Sequence, residues 1–465
     1  MGRRYVYGRR KRSKAPLLMF LIMLVAAGAG FIYFSPKFER NPPSITLPDR
    51  VFWSKSSGQP ISVRLEDDSG LKSYQVTLSD GERDVVVSSG TFTIAKKEAL
   101  ISVDIPEHSS LDTKRDNWTM TVLVNDTSMW NLLRGNSAKK SIEVTVDRQM
   151  PLVGIVANSP SIVRGGSALV IFQASDKNLK DVYVEAGGRR FEVLPYIKKG
   201  FYATLLAWPF RVNNFSAKVI AEDKAGNRRV VEVPFELIPK KYRVSWIGLS
   251  DRFLRGKIAE VASTDAEIPK NLGSLRRFRA VNEDMRKRNE SLIHKYASRV
   301  EPVDFGKWKL KAFYPLKRAK VVAFFGDERH YYYRDRKREV SRSWHLGYDL
   351  ASTSHAPIYS SNPGKVVFAD YDGIYGNMPI IDHGFGLYTL YGHCSSILVR
   401  EGEKIEGGKI IAKTGKTGLA LGDHLHFGIL VQGVEVWPMD WMKQNWIKSH
   451  IDQVFAQARR VIGNR

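Results

Sequence analysis

The sequence predicts a mainly β chain, and three observations lead there. Residues 42–148 and 149–239 are dense in short Val-, Ile-, Thr- and Phe-rich runs punctuated by Asp, Asn, Gly and Ser turns. A later region, 323–445, holds alternating runs such as Lys365 to Phe368, Pro379 to Asp382 and Leu387 to Tyr391, broken by Asp-Gly and His-Gly turns. Helical patterning is confined to an apolar run near the start and a stripe between Leu275 and Tyr296. With 465 residues and 43% hydrophobic content, the chain is long enough for roughly three folded units, which excludes a disordered protein.

The first 16 residues form a basic tail, with Arg3, Arg4, Arg9, Arg10, Lys11, Arg12 and Lys14 ahead of an uncharged run from Leu17 to Phe34. As a helix at about 1.5 Å per residue, those 18 residues span roughly 27 Å, close to the thickness of a bilayer's hydrocarbon core. The basic residues before the run and the aromatic edge after it predict a single-pass helix over 17–34 in the cytoplasmic (inner) membrane. The N-terminus is then cytoplasmic and the bulk of the chain lies in the periplasm or outside the cell. Ala27-Gly28-Ala29 would also suit cleavage of a signal peptide, and either outcome exports the chain.

The two β modules repeat one another. Asp68-Ser69-Gly70-Leu71-Lys72 before Val76 matches Asp176-Lys177-Asn178-Leu179-Lys180 before Val184, and the run 121–126 matches 219–223. Their strand spacing and the Asp223-Lys224-Ala225-Gly226-Asn227 turn predict small sandwiches resembling bacterial immunoglobulin-like domains, with Pro234 marking an edge strand. No His or carboxylate cluster suggests chemistry there, so they read as spacers or as arms for a protein partner.

Residues 240–322 read as a basic, partly helical connector. Leu275, Phe278, Val281, Met285, Leu292, Ile293 and Tyr296 recur at helical spacing behind Ser274, the expected cap. From 240 to 344 there are 27 Lys plus Arg against 13 Asp plus Glu, more than half of the total net charge of +24. Such basicity suits phosphates, acidic glycan strands or lipid headgroups, or equally a solvated face. Export makes nucleic acid an unsuitable partner, so none is expected. Residues 446–465 read as a basic tail. The lone cysteine, Cys394, excludes an intrachain disulfide, a Cys-rich metal cluster and a Cys-x-x-Cys redox site.

Seven of the ten histidines fall between residues 330 and 426, and such clustering requires a chemical reason. In a strand, His424 and His426 project to one face while Leu425 and Phe427 point to the core. His345 and Asp349, brought to the same point, complete an imidazole, carboxylate and imidazole set that suits zinc at about 2.0 to 2.2 Å. Three protein donors leave a fourth position for water, whose pKa the metal lowers toward about 7, and such a centre is hydrolytic.

The region resembles the LytM or lysostaphin-type zinc metallopeptidases of peptidoglycan, peptidase family M twenty-three. The resemblance is carried, in order, by His345-Leu346-Gly347-Tyr348-Asp349, Gly364 to Ala369 and Ile381-Asp382-His383-Gly384. Thr389-Leu390-Tyr391-Gly392-His393, Lys413-Thr414-Gly415-Lys416-Thr417-Gly418 and His424-Leu425-His426-Phe427 complete it. It covers about a quarter of the chain and implies that His345, Asp349 and His426 hold one zinc ion, with His393 and His424 as the catalytic pair. It further implies a peptidoglycan endopeptidase, with a non-catalytic scaffold that binds or activates another wall hydrolase as the alternative. Two positions depart from the family pattern: Asp423 stands where Pro is common, and Cys394 where an aliphatic residue is usual. Alternation turns Cys394 away from the face of His393, which predicts a buried apolar role. His383 reads as a structural hydrogen-bonding residue, and His330 and His355 match no ligand position. The stretch Gly326 to Arg334 is expected to form a hairpin beside the cleft, with Arg and Tyr side chains suited to a peptide carboxylate.

Overall fold

A computed structural model describes residues 13–105, 111–112 and 114–463. Of the basic residues ahead of the apolar run, Arg3, Arg4, Arg9, Arg10, Lys11 and Arg12 lie outside the described residues. The chain is mainly β, and it divides into two compact units, Met1–Gln149 with Lys224–Asn227, and Met150–Asp223 with Arg228–Arg465.

In the first unit, the apolar run forms a helix over Ala15–Phe34, with Pro16 in its first turn and none of its residues buried. Its 20 residues give a length of about 30 Å, enough to cross a membrane. The β module beside it differs from the expected two-sheet sandwich, because its six strands belong to one sheet. Strand Ile61–Ser79 pairs with Ser44–Thr46 through its first half and with Asn117–Asp126 through its second. The strand changes partner where the Asp67 carboxylate accepts from the backbone N–H of Ser69 and Gly70, and Gly70 takes a φ of +103° that L side chains rarely adopt. Trp53 and Trp118 pack in its core with ring centroids 4.9 Å apart.

The second unit opens with two four-stranded sheets, one built around Ser167–Ser175 and Phe201–Ala207, the other around Leu179–Ala186 and Ala217–Asp223. Strand Arg228–Glu232 lies at the edge of its sheet and stops before Pro234, which cannot donate to a ladder. This module is no free spacer. Gln432, at a hairpin tip with φ of +47°, donates to the carbonyls of Glu192 and Leu205 and to the Thr204 hydroxyl, each at 3.0 Å. Its amide oxygen accepts from the Glu192 N–H at 2.8 Å, so the module and the C-terminal β domain are joined within one unit.

That domain contains an eight-stranded sheet. Tyr348–Ala351, Leu425–Val431, Leu387–Gly392, Asn377–Asp382 and Gly364–Tyr371 follow one another across it, all antiparallel. Leu425, Phe427, Ile429 and Val431 are buried, as the alternation requires. The expected hairpin is present as Glu328–Tyr332 against Glu339–Trp344.

Two stretches are more extensively folded than the sequence reading described. In the basic connector Val244–Gly248 adds in parallel to Glu328–Tyr332, and Phe278, Val281, Met285 and Ile293, the expected packing stripe, are buried in a common core with Tyr331, Met378 and Leu390. Its helix runs through Ser274–Arg279, a π-helical turn at Ala280–Met285 and Arg286–Ala297, and the cap residue is Gly273, with Ser274 already inside the helix. The basic tail is likewise folded. Gln453–Gly463 is an amphipathic helix that buries Val454, Phe455, Ala458 and Ile462, because its apolar residues recur on one face while Arg459 and Arg460 stay outside that core.

Candidate metal centre

Strand register assembles the site. Tyr348–Ala351 and Leu425–Val431 pair so that Asp349 lies directly opposite His426, and on the other side of His426 lies Gly392, the last residue of Leu387–Gly392. His393 therefore follows immediately at the strand end, with φ of +64° and its N–H held by the Tyr375 carbonyl at 2.7 Å. His345 enters from the turn before Tyr348, and backbone bonds with Gly326 and Asp327 fix its position.

Three donor atoms meet at one point. His345 Nε2 lies 2.9 Å from Asp349 Oδ1 and 3.0 Å from His426 Nδ1, and His426 Nδ1 is 2.9 Å from the same carboxylate oxygen. All three residues are largely buried. Bonds of about 2.0 to 2.2 Å in a tetrahedron place donors about 3.4 Å apart, so a divalent ion fits after an opening of a few tenths of an ångström. Two imidazole nitrogens and a carboxylate oxygen are the donor chemistry that zinc takes. His345 Nδ1 faces the Phe324 carbonyl at 2.9 Å, which assigns its proton to Nδ1 and its lone pair to Nε2, on the side of the cluster.

The other two histidines adjoin this cluster. The rings of His393 and His424 are 4.9 Å apart, and His393 lies 5.8 Å from His426. His393 Nδ1 bonds the Thr417 carbonyl at 2.9 Å and His424 Nδ1 the Gly422 carbonyl at 2.8 Å. Both contacts assign the proton to Nδ1 and leave Nε2 as the basic nitrogen. His424 Nε2 is 3.6 Å from Asp349 Oδ1, so the pair borders the three-donor point.

The electrostatics favour neutral imidazoles at His426 and His393 and an ionised Asp349. Burial alone would raise Asp349, but charge and hydrogen bonds from His345 and His426 outweigh it and hold the carboxyl well below its ordinary value. Burial lowers His426 to about 4 against the opposing pull of Asp349. Burial, with His424 and His426 beside it, pushes His393 well below the ordinary imidazole range.

The structure brings together all five histidine and aspartate residues singled out in the sequence. Cys394 is not among them: its buried thiol donates to the Tyr391 carbonyl at 3.2 Å, and burial pushes it up to about 12. His383 bonds the Pro363 carbonyl and the Thr389 hydroxyl, as a structural residue does. His330 pairs with Glu339 and stacks on Trp246, and His355 bonds Ser395. Asp423 accepts from Ser354 Oγ and the His355 N–H, and so anchors a neighbouring turn. The glycines of the run 413–418 allow close backbone approach: a Cβ on Gly415 would lie 2.5 Å from the Ser395 nitrogen.

These donors line a cleft of about 380 Å³. Sequence reasoning missed much of its wall, namely Ile247, Leu249 and Phe253 from the supposed connector, Arg286 from its helix, and Tyr375, whose ring lies 5.5 Å from His426. The glycines flanking Ile374-Tyr375, at φ of +46° and +67°, were the only local signal for the last of these.

Residues 343–438 match the profile of peptidase family M23. Peptidoglycan DD-endopeptidase ShyA of Vibrio cholerae is 39% identical over 101 residues, which cover 22% of this chain and 23% of that protein. The chain thus spans less than a quarter of the length of that curated relative. Lipoprotein NlpD of Yersinia enterocolitica is 37% identical over 97 residues, covering 21% of this chain and 99% of the relative. A crystal structure of a zinc-containing peptidase from Vibrio cholerae overlaps 70% of this chain and 81% of its own at 15% identity and a TM-score of 0.26. Through residues 343–438, the chain belongs to peptidase family M23.

Proposed function

We propose that this protein is a membrane-anchored zinc endopeptidase that hydrolyses peptide bonds in the crosslinks or stems of bacterial peptidoglycan, for wall remodelling. The observation that carries the reading is the convergence of His345, Asp349 and His426 within 3.0 Å of one another beside His393 and His424. His345 Nε2, Asp349 Oδ1 and His426 Nδ1 would hold the ion. Zinc bound there supplies Lewis acidity and acidified water.

The chain's own groups carry the proton traffic. One of His393 and His424 would accept the proton of the attacking water at Nε2, and the imidazolium so formed donates that proton to the leaving amine, while the other ring's Nε2 accepts a hydrogen bond that orients the water. The carbonyls of Thr417 and Gly422 hold the two rings in the tautomer this requires. No covalent acyl intermediate is needed. The 20-residue apolar helix supports a single-pass anchor, with the peptidase outside the cytoplasm. The name of the Vibrio relative supports a wall peptide as substrate. The non-catalytic scaffold is disfavoured by the complete donor set.

The test is digestion of purified peptidoglycan by the zinc-loaded full-length protein, with products identified by mass. Peptide-bond cleavage products that disappear in His426→Ala support the proposal. Intact wall at saturating zinc refutes it.

A further inference from the structure

The cleft holds two cations that the hydrolytic chemistry does not use. Arg329 shares one strand face with Tyr331, and both line the cavity with His345, Asp349 and His426. Its guanidinium is 3.3 Å from Asp327 Oδ2 and 3.9 Å from Asp349 Oδ2, the carboxylate oxygen turned away from the three-donor point, and the side chain is 22% exposed. Arg286, at the head of helix Arg286–Ala297, also lines the cavity. Its Nε and Nη2 donate to the carbonyl and side-chain oxygen of Asn282, each at 3.1 Å, and Asn282 in turn donates to Ser341 Oγ at 2.9 Å. These partners are neutral; among the described residues no carboxylate lies within ion-pair distance of Arg286, and its acidic neighbour is Glu290, one helical turn on, whose carboxyl it pulls down against burial.

The remaining wall is mostly apolar, including Leu249, Phe253, Phe278 and Leu419. Among the described residues Asp349 is the one carboxylate lining the cleft, and the imidazoles of His345 and His426 and the guanidinium of Arg329 already face it. A guanidinium held at a set angle by neutral acceptors, in a partly apolar cavity, presents its remaining N–H groups to an anion, and the planar fork suits a carboxylate.

We infer that Arg286 and Arg329 form a carboxylate-binding subsite that selects peptides with a free carboxylate near the scissile bond over their amidated forms. The inference deepens the peptidase reading and rests on it for the identity of the anion as a peptide carboxylate. Arg286 is the principal contact, because Arg329 is partly committed to Asp327 and Asp349.

The experiment uses the full-length protein in detergent micelles and a wall-type tetrapeptide prepared as the free acid and as the C-terminal and side-chain amide. Calorimetry on the metal-free protein should find the acid binding about tenfold tighter than the amide. Arg286→Gln should reduce that ratio to about threefold or less with amide affinity unchanged, and Arg286→Lys should retain part of it. A variant that merely perturbs the wall would weaken both peptides alike, which overturns the assignment, as does equal binding, or no binding, of acid and amide by the wild type. Cleavage of crosslinked substrate in acid and amide forms by the zinc-loaded protein separates the two claims. An acid preference in binding without any cleavage sinks the peptidase reading and leaves the subsite standing. Cleavage of both forms at equal KM and kcat sinks the subsite and leaves the peptidase.

Discussion

Gly347 sits between two of the three donors, and replacing it by alanine tests whether the cluster depends on close packing. A Cβ built on Gly347 would lie 2.6 Å from the Phe427 carbonyl oxygen, 2.7 Å from His426 Nε2 and 2.8 Å from His426 Cε1. Ordinary contact begins near 3.4 Å, so a backbone atom and the imidazole ring must each retreat by more than half an ångström. Overpacking of this kind costs about 1–3 kcal/mol of stability. Retreat of the ring also moves His426 Nδ1 from its place 2.9–3.0 Å from the other two donors. We expect zinc affinity to fall about 10- to 100-fold, the size of effect seen when the orientation of a metal ligand is lost. Competition with a chromophoric chelator measures the affinity, and thermal melting of the metal-free protein measures the stability. Gly422→Ala is the internal control, since its Cβ would meet nothing within 4 Å. Unchanged zinc affinity and melting in Gly347→Ala would refute the packing argument, as would equal losses in Gly422→Ala.

Three further outcomes are expected. His426→Ala should abolish stoichiometric zinc binding, whereas His393→Ala should keep the metal and lose activity by about 10²-fold or more, a split that metal analysis and peptidoglycan digestion read together. His383, outside the donor set, is lowered to about 4 by burial. Unfolded chains therefore bind its proton from about pH 6.5 downward while the folded protein does not, so stability present above pH 6.5 is lost as pH falls toward 4. The loss is about 3 kcal/mol, and urea unfolding of His383→Gln at pH 7 and 4.5 should show a correspondingly flatter pH dependence. Gln432→Ala removes the hydrogen bonds to Glu192, Thr204 and Leu205 and should cost about 2–4 kcal/mol in urea unfolding, against less than about 0.5 for a surface substitution such as Lys404→Ala.

The donor set was readable because its chemistry is local in sequence. His424 and His426 are two apart where strand Leu425–Val431 begins, and His345 and Asp349 flank one turn; Cys394 is buried away from the cleft as expected, although it lies past the end of strand Leu387–Gly392, where alternation no longer applies. The cleft's outer wall was not readable. Val244–Gly248 pairs in parallel with a strand some eighty residues later, and nothing near Trp246 announces that partner. Phe278 was legible as a packing residue and fulfils that expectation against Tyr331, at a ring separation of 5.1 Å, but the cavity beyond Tyr331 depends on tertiary placement. The apolar face of Gln453–Gly463 was present in the sequence as Val454, Phe455, Ala458 and Ile462 at helical spacing, beside the basic residues that mark the tail. The two β modules matched as text, while one-sheet and two-sheet arrangements turn on how long strands change partner, which periodicity does not encode.

X-ray absorption at the zinc edge of the loaded full-length protein tests the donor set most directly. The account predicts one zinc per chain with two imidazole nitrogens and one carboxylate oxygen at about 2.0–2.2 Å, plus a light donor from solvent. A sulfur shell near about 2.3 Å, a fourth protein ligand, or a spectrum unchanged in His345→Ala and Asp349→Ala would contradict it.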